Sequence, residues 1–129
     1  MSKTAEQAVH DRIWQIVSPM VNDNVYESRP MTEVDYPFSD FEDCSTGFSG
    51  TKNGTTARVI LNLNIWDIEN NRKKVSEIGS EILRQSMLLK EAFGYPVTLR
   101  ISDSTVQMLH DRTVRPYLWR CMVHLEFEI

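Results

Sequence analysis

The sequence is short of the residues that build several common kinds of site. It has two cysteines in 129 residues, too few for a disulfide framework or a cysteine-rich metal cluster. It contains no run of about 18 apolar residues that would predict a membrane-spanning helix. Its N-terminus lacks the basic-then-apolar pattern of a secretory signal. We therefore expect a protein that is made in the cytoplasm and has no membrane partner.

Positive charge and glycine motifs are also scarce. Lysine and arginine number 14 against 18 aspartate and glutamate residues, so the net charge is −4. Proteins that wrap nucleic acid tightly need surplus cations to displace phosphate counterions, so that class is disfavoured. No P-loop or dinucleotide fingerprint is present, and the three histidines are far apart without metal-ligand spacing. The sequence predicts no cofactor, no metal site and no catalytic residue.

The residues that are present predict one domain, spanning residues 1–129, with two helices. Apolar residues recur at three- and four-residue steps after Thr4, which predicts an N-terminal helix of about 17 residues ending near Ser18-Pro19. The same spacing predicts a second helix from Asn70 or Asn71 to about residue 87–90. Gly79 lies beside the apolar stripe of the second helix. Glycine weakens a helix, so we expect a close backbone contact at this position.

Alternating apolar residues predict the strands. Residues 25–26 indicate a short strand, and residues 33–43 a second one with Pro37 at an edge or at its start. Residues 57–66 alternate clearly, and residues 117–129 are apolar at every second position for seven positions. So long a one-sided strand belongs in the centre of an antiparallel sheet. The predicted class is therefore α+β, a mainly antiparallel sheet with two helices packed on one face.

Residues 44–56 change to serine, threonine, glycine and lysine and include Asn53-Gly54, a strong hairpin signal. We predict a long, mobile hairpin arm at residues 45–56 (hereafter the arm) rather than a tight turn.

Three further features are ambiguous. The aromatic residues exceed what one sheet face needs, which indicates a protein interface; the candidates are Trp14, Tyr26, Phe41, Phe48 and Trp66. Residues 72–74 are basic and 33–43 acidic, and from the residues alone a solvated helix face and a solvated strand edge that discourages unwanted pairing explain them better than a site does.

The order of short motifs resembles the tail completion proteins of long-tailed bacteriophages, the group that includes tail terminators and head–tail joining proteins. The resemblance spans nearly the whole chain, although each motif alone is weak. The matching elements are Val25-Tyr26 with Arg29-Pro30, Tyr36-Pro37-Phe38, the glycine-rich loop before Ala57 to Trp66, the Asn-x-x-x-x-Val-x-x-Ile helix, Trp119-Arg120, and Phe127-Glu128-Ile129.

The resemblance implies a non-enzymatic virion assembly protein. Such proteins form a ring, usually a hexamer, at the head-proximal end of the tail tube, where they end tube growth and join tail to head. The implied partners are other copies of the chain, the tail tube protein and the head connector or stopper protein, while DNA passes through the lumen without specific binding. The implied location is the virion, at the head–tail interface, after assembly in the host cytoplasm.

Two sets of residues are candidates for this role. The expected interface with neighbouring subunits or partners comprises Phe48, Lys52, Asn53, Arg58, Trp66, Arg72, Lys73 and Lys74. The expected acidic lumen, across which DNA would slip, comprises Glu33, Asp35, Asp40, Glu42 and Asp43.

Two other functions stay open from the residues alone. One is a monomeric ferredoxin-like domain that binds a small ligand on its sheet or acts in regulation. The other is a small enzyme with His110, Asp111 and Arg112 in one cleft. His10-Asp11-Arg12 repeats that tripeptide, but the flanking sequences share nothing, and we interpret the repeat as coincidence.

Overall fold

The computed structural model describes residues 3–51 and 54–129. The two helices are α1 (Ala5–Val17) and α2 (Arg72–Leu88). Single turns of 3-10 helix follow α1 at Ser18–Val21, precede α2 at Glu69–Asn71 and lie between the sixth and seventh strands at Ile101–Asp103. The strands are β1 (Val25–Tyr26), β2 (Phe38–Thr51), β3 (Gly54–Ile68), β4 (Glu91–Ala92), β5 (Tyr95–Pro96), β6 (Thr98–Leu99), β7 (Thr105–Asp111) and β8 (Leu118–Glu128).

The main sheet has the order β1-β2-β3-β8, and β8 pairs on its other side with both β6 and β7. All of these pairs are antiparallel except β1 with β2. β4 and β5 form a separate small hairpin. β8 therefore lies in the centre of the sheet, as the alternation of its apolar residues predicted.

One face of the sheet carries the main core. Alternate residues of β3 and β8 pair across the strands, for example Val59 with Phe127 and Leu63 with Val123. These rows are buried under the apolar stripes of α1 and α2. α1 begins as predicted, because Thr4 Oγ1 accepts a hydrogen bond from the Gln7 amide at 3.1 Å. The α+β class with both helices on one side of a mainly antiparallel sheet is confirmed.

A close approach at Gly79 explains its place in the middle of α2. A Cβ built at this position would overlap Cys121 Sγ and lie 3.1 Å from Val106 Cγ1. Cys121 is fully buried on β8. The helix can pack this near to the sheet because residue 79 has no side chain, which confirms the predicted close contact.

The other face of the sheet, which we call the open face, is covered only at one end. There Phe38, Trp66 and Leu118 form a second buried cluster beneath residues 26–36 and Val114. Phe38 and Trp66 stack with ring centroids 6.1 Å apart. The remainder of this face is mostly polar, interrupted by Ile60, Leu109 and Met122, and it is the part of the sheet on which a site can form.

Two boundaries differ from the sequence prediction. The strand expected at 33–43 begins only at Phe38, directly after Pro37, and continues to Thr51. The arm is a regular antiparallel ladder that pairs Ser45 with Ile60 and still pairs Thr51 with Gly54. Two residues, Lys52 and Asn53, separate these strands in the sequence and lie outside the described residues. In the described part of the chain, no helix is long and apolar enough to cross a membrane.

Candidate functional site

The buried carboxylate of Asp40 organises the end of the open face that adjoins the second cluster. Asp40 is 3% exposed, and its oxygens accept hydrogen bonds from Trp66 Nε1 at 2.5 Å and from Asn64 Nδ2 at 3.2 Å. β2 and β3 place these groups together because Asp40 pairs with Asn64, with Trp66 two residues further along the same face. A polar group this deeply buried is retained only when hydrogen-bonded. Asp40 therefore holds the second cluster in place rather than lining a surface.

Arg120 continues this network outward. Its Nε donates to Asn64 Oδ1 at 2.8 Å, and its Nη2 lies 2.7 Å from Glu42 Oε1. The guanidinium groups of Arg29 and Arg120 lie 4.2 and 5.2 Å from the Trp66 ring centroid. These side chains line a cleft of about 280 Å³ on the open face. Its cations already have carboxylate or aromatic partners.

Nearer the arm, the open face carries one group of ion pairs and one group of hydrogen-bonded polar side chains. Arg58 Nη1 lies 3.2 Å from Asp103 Oδ2 and 3.7 Å from Glu126 Oε2, which links β3 to β8 and to the 3-10 turn between β6 and β7. In the adjoining rows, Asn62 Nδ2 donates to Asp43 Oδ1 at 2.7 Å, and Asn62 Oδ1 lies 2.6 Å from His124 Nδ1. On the open face, Arg58 and Arg120 are therefore already paired with carboxylate or amide groups.

The arm extends beyond the rest of the sheet. The ladder between β3 and β8 ends where Arg58 pairs with Glu128, while β2 and β3 continue to Thr51 and Gly54. Phe48 lies on this extension and is 72% exposed. A large aromatic side chain held in water on a projecting hairpin is a feature typical of a contact surface.

The structure separates the predicted interface residues into three groups. Phe48 and Arg58 lie on or at the base of the arm, and Lys52 and Asn53 fall outside the described residues. Arg72, Lys73 and Lys74 are exposed in the first turn of α2, with the Arg72 guanidinium 4.8 Å from the Trp119 ring centroid. Trp66 is 3% exposed, so its side chain supports the second cluster and offers no surface.

The spare aromatic residues behave mostly like Trp66. Phe41 is buried, and it contacts Trp14 and His10 at centroid distances of 5.1 and 5.2 Å, where α1 meets β2. Tyr26 is half-buried against Phe38. Of the predicted interface aromatics, Phe48 is the one that the fold leaves in solvent.

The acidic residues divide in the same way. Glu33 and Asp35 are exposed in the loop before β2, and Glu42 and Asp43 are exposed beside its bulge. Asp40 is the exception, because its side chain is enclosed by the second cluster. The sequence places all five within eleven residues, but alternation along β2 and the covering loop decide which of them face water.

The nucleophilic and histidine side chains do not form a reactive constellation in the described residues. Burial, together with the nearby Glu6 carboxylate, raises the pKa of Cys44 to about 12, and burial raises the pKa of Cys121 to about 11. His110 stacks on Trp119, and Arg112 Nε donates to its Nδ1 at 3.0 Å. No group of three or more histidine, cysteine, aspartate or glutamate side chains within residues 3–51 and 54–129 is arranged to hold a metal ion.

Several residues of the open-face network were not proposed as site residues from the sequence. Asn62, Asn64, Arg120, His124 and Glu126 all stand at the polar positions of alternating strands. That alternation shows that a face is polar, but it does not show that Asn62 meets His124, or that Asn64 meets Arg120, across β3 and β8. The polar–apolar alternation of each strand is visible in the sequence, but the register in which the strands pair is not.

The chain matches no known family model and no curated protein sequence. It is similar in structure to a chain of a solved assembly titled "Virion of native gene transfer agent (GTA) particle". The similarity has a TM-score of 0.65 at 9% identity, and it covers 96% of this chain and 92% of the other. At that identity the likeness establishes a shared fold across almost the full length of both chains.

Proposed function

We propose that this protein is a structural component of a phage-like virion that forms a ring at the head-proximal end of the tail tube. In this role it ends tube growth and joins the tail to the head, and DNA passes through its lumen. Its partners are other copies of itself, in a ring that we expect to be a hexamer, together with the tail tube protein and a head connector or stopper protein. No step of this role requires catalysis.

The observation that carries the proposal is the shared fold with a chain of a gene transfer agent virion, which covers 96% of this chain. Fold alone does not determine function. Two features of this chain add support: a projecting arm with an exposed aromatic residue, and a broad sheet face whose arginines are already paired. The arm offers a contact for a neighbouring subunit, and the sheet face offers no unpaired arginine among those described.

The open face suits a channel through which DNA slides. Cations that are free to bind phosphate would retain DNA by releasing counterions. Here Arg120 is engaged by Glu42, and Arg58 by Asp103 and Glu126. We propose that this face lines the lumen, with Glu33, Asp35, Glu42 and Asp43 contributing its negative charge and Asp40 supporting it from beneath.

The experiment that tests the proposal measures the mass of the purified protein, alone and mixed with tail tubes of its own particle, by light scattering and negative-stain microscopy. We expect rings, either free or capping one end of each tube. A protein that stays monomeric and ignores tubes would contradict the proposal. It would favour the monomeric ligand-binding alternative, for which the cleft around Trp66 and Arg120 is the first place to search.

A shortened arm provides a second test. Replacing residues 48–57 with Asn-Gly connects the paired residues Gly47 and Arg58 by a two-residue turn and leaves the rest of the sheet in register. We expect this variant to fold, as measured by circular dichroism and thermal unfolding, and to fail in joining tails to heads. Normal joining by the shortened protein would show that the arm has no part in assembly.

A further inference from the structure

The main sheet ends in two strands that are each paired on one side. β1 pairs with β2 only at Ser39 and Asp40, so residues 44–51 have no strand on their outer side within the described residues. At the opposite edge, residues 105–111 of β7 pair with β8 on the inner side, and the described chain places no strand beyond them. We call these segments the β2 edge (44–51) and the β7 edge (105–111).

The hydrogen-bonding direction of each backbone group on the β2 edge can be derived from the ladder. The Ile129 amide donates to Ala57 O at 3.0 Å, so the backbone of Ala57 faces β8 and not β2. Residues in an antiparallel pair alternate between bonding to each other and facing away. Phe48, the partner of Ala57, therefore turns its N–H and C=O outward. The same alternation turns Cys44, Thr46 and Gly50 outward.

The same reasoning applies to the β7 edge. Glu126 O accepts from the Arg100 amide at 2.7 Å, and the Glu126 amide donates to Ser104 Oγ at 3.2 Å, so this residue faces away from β3. Two residues earlier, His124 shares that direction and pairs with Thr105. The outward-facing residues of the β7 edge are accordingly Val106, Met108 and His110.

Neither edge has the protection that isolated sheets normally carry. Exposed edges are usually guarded by charged residues, prolines or bulges. The bulge of β2 and its acidic residues Glu42 and Asp43 precede the β2 edge, and residues 44–51 contain no charge and no proline. Residues 105–109 contain none either. Each edge also exposes a large apolar side chain, Phe48 on one and Leu109 on the other.

We infer that these edges are two halves of one interface, in which the β2 edge of one copy pairs with the β7 edge of the next. This inference rests on the ring proposed above and specifies how its subunits join. Three successive antiparallel pairings separate β2 from β7, so the two strands run in opposite directions. In a closed sheet the strands tilt by about 35–45° from the ring axis, and rotation about that axis keeps the direction of neighbouring strands, so the new pair is antiparallel. Two different edges at opposite ends of one sheet make the heterologous contact that closes a ring.

Charge supports this orientation. Through β8, strand β7 lies level with residues 62–68 of β3, whereas the arm lies level with residues 54–60. For the two edges to meet, neighbouring copies must be displaced along the strands, as in closed sheets whose strands are staggered. In an antiparallel pair, the C-terminal end of β7 then lies beside the base of the arm, next to Cys44. The exposed Arg112 and Arg115 follow β7, while Glu27 and Asp43 are exposed beside Cys44 at the base of the arm. Opposite charges therefore meet across the interface.

Residue-resolved hydrogen exchange tests the pairing directly. The outward amides of the β2 edge should exchange rapidly in the monomer and at least about tenfold more slowly in the ring. The inward amides of the same strand should be protected in both states by β3. The outward set is Cys44, Thr46, Phe48 and Gly50, and the inward control set is Ser45, Gly47 and Ser49. Val106, Met108 and His110 should show the same gain on the β7 edge.

A pair of variants provides an independent readout. Thr46→Pro removes one outward N–H at an edge position, where proline is tolerated, and Thr46→Val keeps the N–H with a similar shape. We expect the proline variant to remain monomeric by light scattering and the valine variant to form rings. If Thr46→Pro fails to fold, the exchange experiment on the unaltered protein decides.

The outcomes separate this inference from the proposed function. Rings whose outward amides exchange as fast as in the monomer would overturn the edge pairing and leave the ring in place. Rings formed equally well by Thr46→Pro and Thr46→Val would do the same. Failure to form any ring, alone or on tail tubes, would overturn both.

Discussion

Substituting Gly79 with alanine tests how closely α2 lies against the sheet. The added Cβ would overlap Cys121 Sγ and lie 3.1 Å from Val106 Cγ1. Cys121 is fully buried, so its sulfur has little room to move. Overpacking of this kind costs about 1–3 kcal/mol. Alanine also favours the helix over glycine by about 1 kcal/mol, which offsets part of that cost. We expect Gly79→Ala to lower the free energy of unfolding by about 1 kcal/mol.

The background variant Cys121→Ala separates the two contributions. This change removes the sulfur that obstructs the new methyl group, so the helix-propensity gain should then dominate. In that background, Gly79→Ala should be neutral or stabilise the protein by up to about 1 kcal/mol. The coupling between the two sites is measured by urea unfolding of all four proteins in a double-mutant cycle. Equal effects of Gly79→Ala in both backgrounds would refute the close contact as the reason for glycine.

Three further predictions concern buried or perturbed groups. Asp40→Ala leaves the Trp66 indole without its acceptor and should lower the free energy of unfolding by about 1–3 kcal/mol in denaturant titrations. The exposed control Asp35→Ala should change it by less than about 0.5 kcal/mol, and equal losses would contradict the supporting role of Asp40. The pKa of Cys44 is about 12, so iodoacetamide should modify this thiol at pH 8 only after denaturant is added; rapid labelling of the native protein would contradict the burial. For Asp11, burial raises the pKa, but hydrogen bonds from neighbouring side chains outweigh it and lower the pKa to about 2. Its stabilising contribution should therefore be complete above pH 4 and lost between about pH 4 and 2, and Asp11→Asn should flatten that part of the stability profile.

The Cys44 thiol also has a consequence at high pH. Its pKa in the folded protein lies above the unfolded value of about 8.5, so the unfolded chain releases the proton first. The unfolded state is then favoured as the pH rises. Stability should fall with increasing pH above about 8.5, and the fall should be smaller in Cys44→Ala.

Local patterns in the sequence are sufficient to locate most segments of regular structure. Apolar residues at helical spacing located α1 and α2, and strict alternation over residues 117–129 indicated the long central strand β8. These patterns are local, because each depends on side chains that must face one side of a single element. Gly79 could be interpreted for the same reason, as a gap in one helical stripe.

What covers each face of the sheet, and which polar groups meet, depends on contacts between distant parts of the chain. Trp66 was predicted in an interface and Asp40 in an acidic lumen, but the loop before β2 folds over that end of the sheet and buries both. The network from Asp40 through Asn64 to Arg120 joins residues up to 80 positions apart. Alternation repeats every two residues and is the same for any register, so it cannot specify which side chains become neighbours across strands. The two unprotected sheet edges follow from strand order, which depends on non-local pairing.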